Sequence, residues 1–453
     1  MRNPLARRSC LPLSPERPLT PALSPDGGEG DRSRGLFEVQ GFNARNWFRG
    51  ILMMTMPVFS IALFSAIENS DAASFRFNFA SQPGLTNRYA PESGSGFDFG
   101  SSVASVPGGG VTSDRPFFFS IALPEGNYCV TATFGDRSGA TTNYVKAEAR
   151  RLLLEDVRTA KGEFAARSFV VNTRTTDYPG GKVHLKPREL TDEAVTWDGK
   201  LTLEFNGPRS VLRELEIVPA TNVTTVFIAG DSTVCDQPVE PWNSWGQMLP
   251  RFFDDQVVVA NYAESGESIR SSLGAHRFDK VFSVIRPGDF LFVQFGHNDM
   301  KDHATNALEV YRANLKKIIA TTRERGATPV LVTSMERKAG LNGPTLEGYP
   351  EAVREVAHEE GAACIDLNAA SVKLYRALGK NLGLAFQDGT HHNNYGSYEL
   401  ARCVVEGIKE DKLALAKHLA ADNTPFDPTR PDELANFHIP ASPMRNSVKP
   451  EGN

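Results

Sequence analysis

From Thr225 onward, short runs of apolar residues alternate with segments of helical spacing, and this alternation restricts the fold more than any other feature of the chain. VFIAGDS reads as a buried strand, SWGQMLPRFF as a helix, VVVANYAES as a second strand and FLFVQFGHND as a third, after the turn Arg286-Pro287-Gly288-Asp289. Leu308, Tyr311, Leu315, Ile318 and Ile319 recur at helical spacing up to Gly326. TPVLVTSM and ACIDL supply strands four and five, and a helix is expected through YELARCVVEGIKEDKLALAKHL. Strands that alternate with helices form a parallel sheet covered on both faces, and reactive groups in such folds gather at the carboxyl ends of the strands. The expected fold class is therefore α/β for residues 225–420.

The preceding stretch, 74–218, has a different period. FRFNFA, FFFSIAL, YCVTATFGD, RLLLEDV, RSFVV, KVHL, LTLEFNG and VLRELEIV are short, partly alternating runs separated by turn residues. That pattern predicts a β-sandwich. Residues 219–224 read as a linker, and the Pro-rich segment 421–453 as a tail that wraps the surface or stays loose.

The front of the chain reads as targeting. Residues 1–45 are rich in Pro, Ser, Arg and Gly and lack apolar periodicity, so they are expected to be disordered or a mis-assigned leader. Arg45 and Arg49 precede an apolar run over 51–67, and small residues follow at Ala72 and Ala73. Residues 46–73 thus resemble a signal peptide, with cleavage near Ala72/Ala73 and a secreted or periplasmic product. The alternative is an uncleaved anchor, but the run is shorter than the roughly 20 residues that span a bilayer.

A net charge of −5 without a basic stripe disfavours nucleic-acid binding. The five cysteines form no CxxC or Cys/His spacing, so neither a metal nor another cofactor is expected, and most of the thiols are expected to be free and buried.

Four short blocks carry chemistry. Gly230-Asp231-Ser232-Thr233 sits between the first strand and a helix, where backbone N–H groups stabilise anions. Gly266 follows the second strand and leaves its N–H open to a ligand. Asn298, in Gly296-His297-Asn298-Asp299 after the third strand, carries an amide N–H₂ suited to an oxyanion. Asp388-Gly389-Thr390-His391 places a carboxylate three residues before an imidazole, so that Asp388 can orient His391 as a base for Ser232. Each block alone has a bland reading: a turn, a turn glycine, a helix cap, a polar loop. His392 is a rival to His391, and the spacing favours His391.

Together the blocks resemble the SGNH, or GDSL-type, hydrolase superfamily, which is defined by a Ser, a Gly, an Asn and a His in such blocks. The continuations CDQPVEPWNSWGQMLPRFF, NYAESGESIRSS, FVQFGHNDMKD and DGTHHNNYGS narrow the resemblance to the rhamnogalacturonan acetylesterases over about residues 224–415. The resemblance implies a three-layer α/β/α, flavodoxin-like domain without metal. It also implies hydrolysis of acetyl esters on a pectic polysaccharide by Ser232, His391 and Asp388, with Ser232, Gly266 and Asn298 as the oxyanion hole. The front module resembles galactose-binding-like sandwiches. Arg270, Trp242 and Tyr262 are candidate substrate contacts, with Arg270 the candidate for a uronate carboxylate. The expected partner is an acetylated plant cell-wall polysaccharide, met by a monomer with no stable membrane partner. Rival readings are an acetylxylan or other acyl esterase or lipase on the same fold, and a glycan-binding protein with an inert esterase domain.

Overall fold

A computed structural model describes residues 74–81 and 86–451. The expectations for the leader, the signal segment, the Ala72/Ala73 junction and Cys10 lie outside the described residues.

The front part of the chain consists chiefly of two antiparallel sheets. In one, Val211–Pro219 pairs with Gly126–Gly135, Phe75–Asn78 and Val111–Thr112, and Phe164–Thr173 extends the sheet beyond Gly126–Gly135. In the other, Lys200–Arg209 lies between Phe117–Ala122 and Thr141–Ala147, flanked by Ser95–Asp98 and Arg151–Thr159. Alternation sets the inward faces: Phe117, Phe119, Ile121, Leu203 and Phe205 from one sheet meet Val130, Ala132, Phe134, Leu215 and Ile217 from the other in a single apolar core. Thr141–Ala147 is a strand that hydropathy hides. Most of its polar residues are buried too: the Asn143 side chain donates to the Val157 carbonyl, and Lys146 donates to the Pro440 carbonyl and the Ser442 hydroxyl of the C-terminal segment. KVHL departs from expectation in the opposite sense. Only Gly181–Lys182 is extended in a two-residue ladder, and the His184 N–H donates to the Ala275 carbonyl of the following domain.

From Thr224 a five-stranded parallel sheet is wound in the order Val257–Asn261, Thr224–Gly230, Phe290–Gln294, Thr328–Val332, Ala363–Ile365. Val226, Ile228, Val330 and Val332 face one side, where Trp245–Met248, Leu367–Leu378 and Asn394–Glu410 pack. Phe227, Ala229, Leu291 and Leu331 face the other, against Arg277–Val284, Ala307–Glu324 and Tyr349–Glu360. The first strand sits between the second and the third, so the chain reverses its winding direction beside it. That is the place where open α/β sheets form a crevice.

Two helices differ from expectation. The segment after Ser244 is helical only over Trp245–Met248 and tightens into a 3₁₀ turn at Leu249–Phe252, because Pro250 has no N–H to continue the ladder. The last long helix starts at Asn394, capped by Asn393, and stops at Glu410. Lys412 then takes a left-handed φ of 52°, and Ala414–His418 forms a separate 3₁₀ turn.

Front module and parallel sheet share buried surface. Cys129 and Val170 pack with Val223 and Val258, and Tyr144 and Leu152 join the core under Trp245. Cys235, Cys364 and Cys403 are free thiols, two of them buried.

Candidate active site

The first strand ends at Gly230, where a side chain would collide with Val234 Cγ2 at 2.7 Å and the Gln294 carbonyl at 2.8 Å. The turn that follows is held from within. Asp231 Oδ1 accepts from the Thr233 N–H at 2.9 Å and the Thr233 hydroxyl at 2.7 Å, and its Oδ2 lies 3.3 Å from His297 Nδ1. Burial would raise the Asp231 carboxyl, but His297 and the Thr233 bonds hold it below its usual value. Gln237 Nε2 donates to the Ser232 carbonyl at 2.7 Å, and Gln294 Nε2 donates to the Thr233 hydroxyl at 2.9 Å. Ser232 is thereby fixed at the carboxyl end of the sheet, with only 1% of its surface exposed.

His391 Nε2 stands 2.8 Å from Ser232 Oγ, and His391 Nδ1 stands 2.9 Å from Asp388 Oδ2. The three-residue turn closes on itself, since the N–H groups of His391 and Thr390 both donate to Asp388 Oδ1, at 2.6 and 2.7 Å. Burial alone would lift the Asp388 carboxyl, yet these bonds and the imidazole hold it well below the usual carboxylate range. His392 turns the other way. Its Nε2 meets the Tyr375 hydroxyl at 2.9 Å, its ring packs on Phe386, and burial lowers its pKa to about 3.

Gly266 has a φ of +75°, which disfavours any side chain. Asn298 reaches toward the same loop: Nδ2 donates to the Glu267 carbonyl at 3.0 Å, while Lys301 Nζ donates to Asn298 Oδ1 at 2.9 Å and so fixes the amide orientation. Asp299 does act as a cap, but for a different helix, accepting from the Ile269 N–H at 2.9 Å. Burial raises its carboxyl to about 7, with the nearby Asp231 charge adding to the effect.

Of the candidate substrate contacts, Tyr262 requires correction. It is 1% exposed, set edge-on to Trp197 of the front module and beneath the Arg174 guanidinium, so it presents no face to a sugar. Trp242 is also largely buried, at 7%. Its ring stands edge-on to the His391 imidazole, with centroids 5.7 Å apart, so it supports the histidine rather than forming an open platform. Arg270 is exposed, ion-paired to Asp302 at 2.8 Å, and lines a cleft of about 270 Å³ with Asn298, Asp299 and Lys301. Among the described residues no three His, Cys, Asp or Glu side chains gather into a set that could hold a metal ion.

Residues 228–397 match the GDSL-like lipase/acylhydrolase family. The rhamnogalacturonan acetylesterase RhgT of Bacillus subtilis (strain 168) is 38% identical over 218 residues, covering 43% of this chain and 94% of that protein. The chain belongs to the GDSL-like hydrolases. It is an esterase, and a probable rhamnogalacturonan acetylesterase, YesY, of the same organism is a further relative, 32% identical over 43% of this chain and 96% of that protein. The uncharacterized esterase YxiM, also from B. subtilis, is 28% identical over 82% of this chain and 99% of its own length, so that similarity extends into the front module. The crystal structure of YxiM aligns with a TM-score of 0.43 at 24% identity, covering 76% of this chain and 100% of that one.

This GDSL-like hydrolase surrounds its four blocks with residues that the motif reading passed over. From the front module, Arg188 pairs with Glu264 at 3.1 Å and its guanidinium donates to Gln237 Oε1 at 3.3 Å. Lys186 donates to the Ser265 carbonyl at 2.5 Å. No local signal marks these residues, because their partners come from another module.

Proposed function

We propose that this chain is an exported serine esterase that removes acetyl groups from a pectic polysaccharide. The observation that carries the reading is the relay Ser232 Oγ–His391 Nε2–His391 Nδ1–Asp388 Oδ2, with both links within hydrogen-bond distance. His391 takes the Ser232 proton as Oγ attacks the acetyl carbonyl carbon. The oxyanion is held by the N–H groups of Ser232 and Gly266 and by the Asn298 amide. Collapse breaks the ester bond, and the sugar oxygen leaves with the proton from His391. Water, deprotonated by His391, then attacks the acyl-serine and releases acetate. Asp388 remains ionised throughout and holds the imidazole tautomer. In this reading the front module is a galactose-binding-like β-sandwich. The apolar run at 51–67 supports export, and the names of the relatives support the pectic substrate.

The test is acetate release from acetylated rhamnogalacturonan, acetylated xylan and a p-nitrophenyl ester series. Acetyl esters are expected to outpace longer acyl chains, and rhamnogalacturonan to outpace xylan. Asn298→Ala is expected to lower kcat by about 100-fold or more. Preference for long acyl chains would point instead to a lipase, and absence of turnover on every ester would leave only glycan binding.

A further inference from the structure

The front module delivers a cation to the edge of the proposed acyl site. Lys186 Nζ donates to the Ser265 carbonyl and lies 3.2 Å from the point where a Cβ on Gly266 would sit. Two carboxylates reach the ammonium, Glu267 at 3.3 Å and Glu451 at 3.5 Å. Glu267 is buried and shared, since Arg277 Nε approaches it at 3.7 Å and the Ser271 hydroxyl donates to it. Glu451 differs in kind. It is half-exposed, it arrives on the C-terminal segment, and its Cβ is 3.1 Å from the same point above Gly266. Two residues earlier, Lys449 Nζ lies 3.5 Å from Asp388 Oδ2. The segment therefore runs from the carboxylate of the relay to the glycine of the oxyanion loop, beside a serine and a histidine that are each 1% exposed. It is anchored upstream, where the Glu240 N–H donates to the Met444 carbonyl and the Asn446 N–H donates to the Glu240 carbonyl.

A carboxylate in this position, on an exposed strand of chain, is a ligand that another carboxylate can displace, because an ion pair so open to water is weakly held. An ammonium is a compact point charge that accepts a carboxylate from a range of directions. We propose that Lys186 forms a subsite for a uronate carboxylate of the acetylated chain, and that Glu451 occupies this subsite in the unliganded protein. The proposal rests on the esterase reading and extends it: selectivity for anionic over neutral polysaccharide comes from a residue of the front module.

The experiment measures kcat/KM of the full chain on an acetylated galacturonate-containing oligosaccharide and on an acetylated xylo-oligosaccharide, and follows their ratio. Lys186→Met is expected to lower the anionic-to-neutral ratio by roughly tenfold or more, mainly through KM, while Lys186→Arg retains most of it. Glu451→Gln, which removes the competitor, is expected to raise kcat/KM on the anionic substrate, and added salt to narrow the ratio. An unchanged ratio in Lys186→Met overturns the subsite. Should that variant fail to fold, an unchanged rate on the anionic substrate in Glu451→Gln overturns it instead. Loss of the esterase reading looks different, since wild-type protein would then release no acetate from either sugar or from p-nitrophenyl acetate.

Discussion

Arg150 Nη1 donates to the backbone carbonyl of Trp242 at 2.8 Å. The same nitrogen reaches the Gln237 carbonyl at 3.1 Å, while Nη2 pairs with Glu240 at 2.6 Å, all in a buried setting. One guanidinium from the front module therefore pins the loop that carries Gln237, behind the Ser232 carbonyl, and Trp242, beside His391. Arg150→Met would leave Glu240 buried with its charge only partly offset by Lys146. Loss of one member of a buried pair costs about 3–5 kcal/mol. Urea unfolding is expected to show a destabilisation of that order, and a change of under about 1 kcal/mol would mean that the loop is held by other contacts.

The interface also bears on whether the parallel-sheet domain stands alone. The sequence sets 74–218 apart as a β module followed by a linker, but Arg151 pairs with Asp236 at 3.3 Å and donates to the Val259 carbonyl, and Gln247 donates to the Ala149 carbonyl. A fragment beginning at about residue 222 would expose Val258 and leave Asp236 and Glu240 without their arginines. It is expected to be insoluble, or soluble without activity on p-nitrophenyl acetate. A soluble fragment with wild-type turnover on that ester would refute the shared scaffold.

What was legible in the sequence follows the physics of each feature. The parallel strands were readable because burial on both faces makes them continuous apolar runs, as in Val257–Asn261. The four blocks were readable because each lies within a few residues of a strand end or in one tight turn. Tyr262 was misread because its cover, Trp197 and Arg174, comes from the front module. Nothing in the local sequence marks Lys186, Arg188 and Arg150, for the same reason: their partners lie far away in sequence. Lys412 ended a helix that its apolar spacing would have continued, through a left-handed backbone that spacing does not encode.

Two buried groups give opposite pH dependences of stability. Asp299 titrates near 7 in the folded chain, against about 4 when unfolded. The folded state thus keeps a proton that the unfolded state has lost, and this contribution is full below about pH 4 and disappears as pH rises through about 7. Asp299→Asn keeps an acceptor for the Ile269 N–H and removes the titration, so the Tm of the variant relative to wild type should rise between about pH 5 and pH 8. His392 works in the other direction. Its folded pKa of about 3 lies below the unfolded value of about 6.5, so its contribution is present above about 6.5 and is lost as pH falls toward 3. His392→Gln should flatten the acid limb of the Tm profile, and parallel profiles for variant and wild type would contradict either assignment.

The two adjacent histidines have different surroundings. Only the His391 ring reaches both Ser232 Oγ and Asp388 Oδ2, at 2.8 and 2.9 Å, whereas the His392 ring is taken up by Tyr375 and Phe386. His391→Ala and Ser232→Ala should each remove nearly all turnover on p-nitrophenyl acetate, and the double variant should be little worse than either, because members of one relay act as a unit. Asp388→Asn should be severe but milder, since it disturbs tautomer and orientation while the base remains. His392→Ala should chiefly lower the Tm: it removes a ring tilted against Phe386 with centroids 4.0 Å apart, and the Tyr375 hydroxyl loses this partner but keeps its bond to the Glu336 carbonyl at 3.1 Å. Its kcat should stay within about tenfold of wild type below the melting range, a loss of about 1.4 kcal/mol at most. If His392→Ala abolished kcat in folded protein while His391→Ala left it near wild type, the relay would have been assigned to the wrong imidazole.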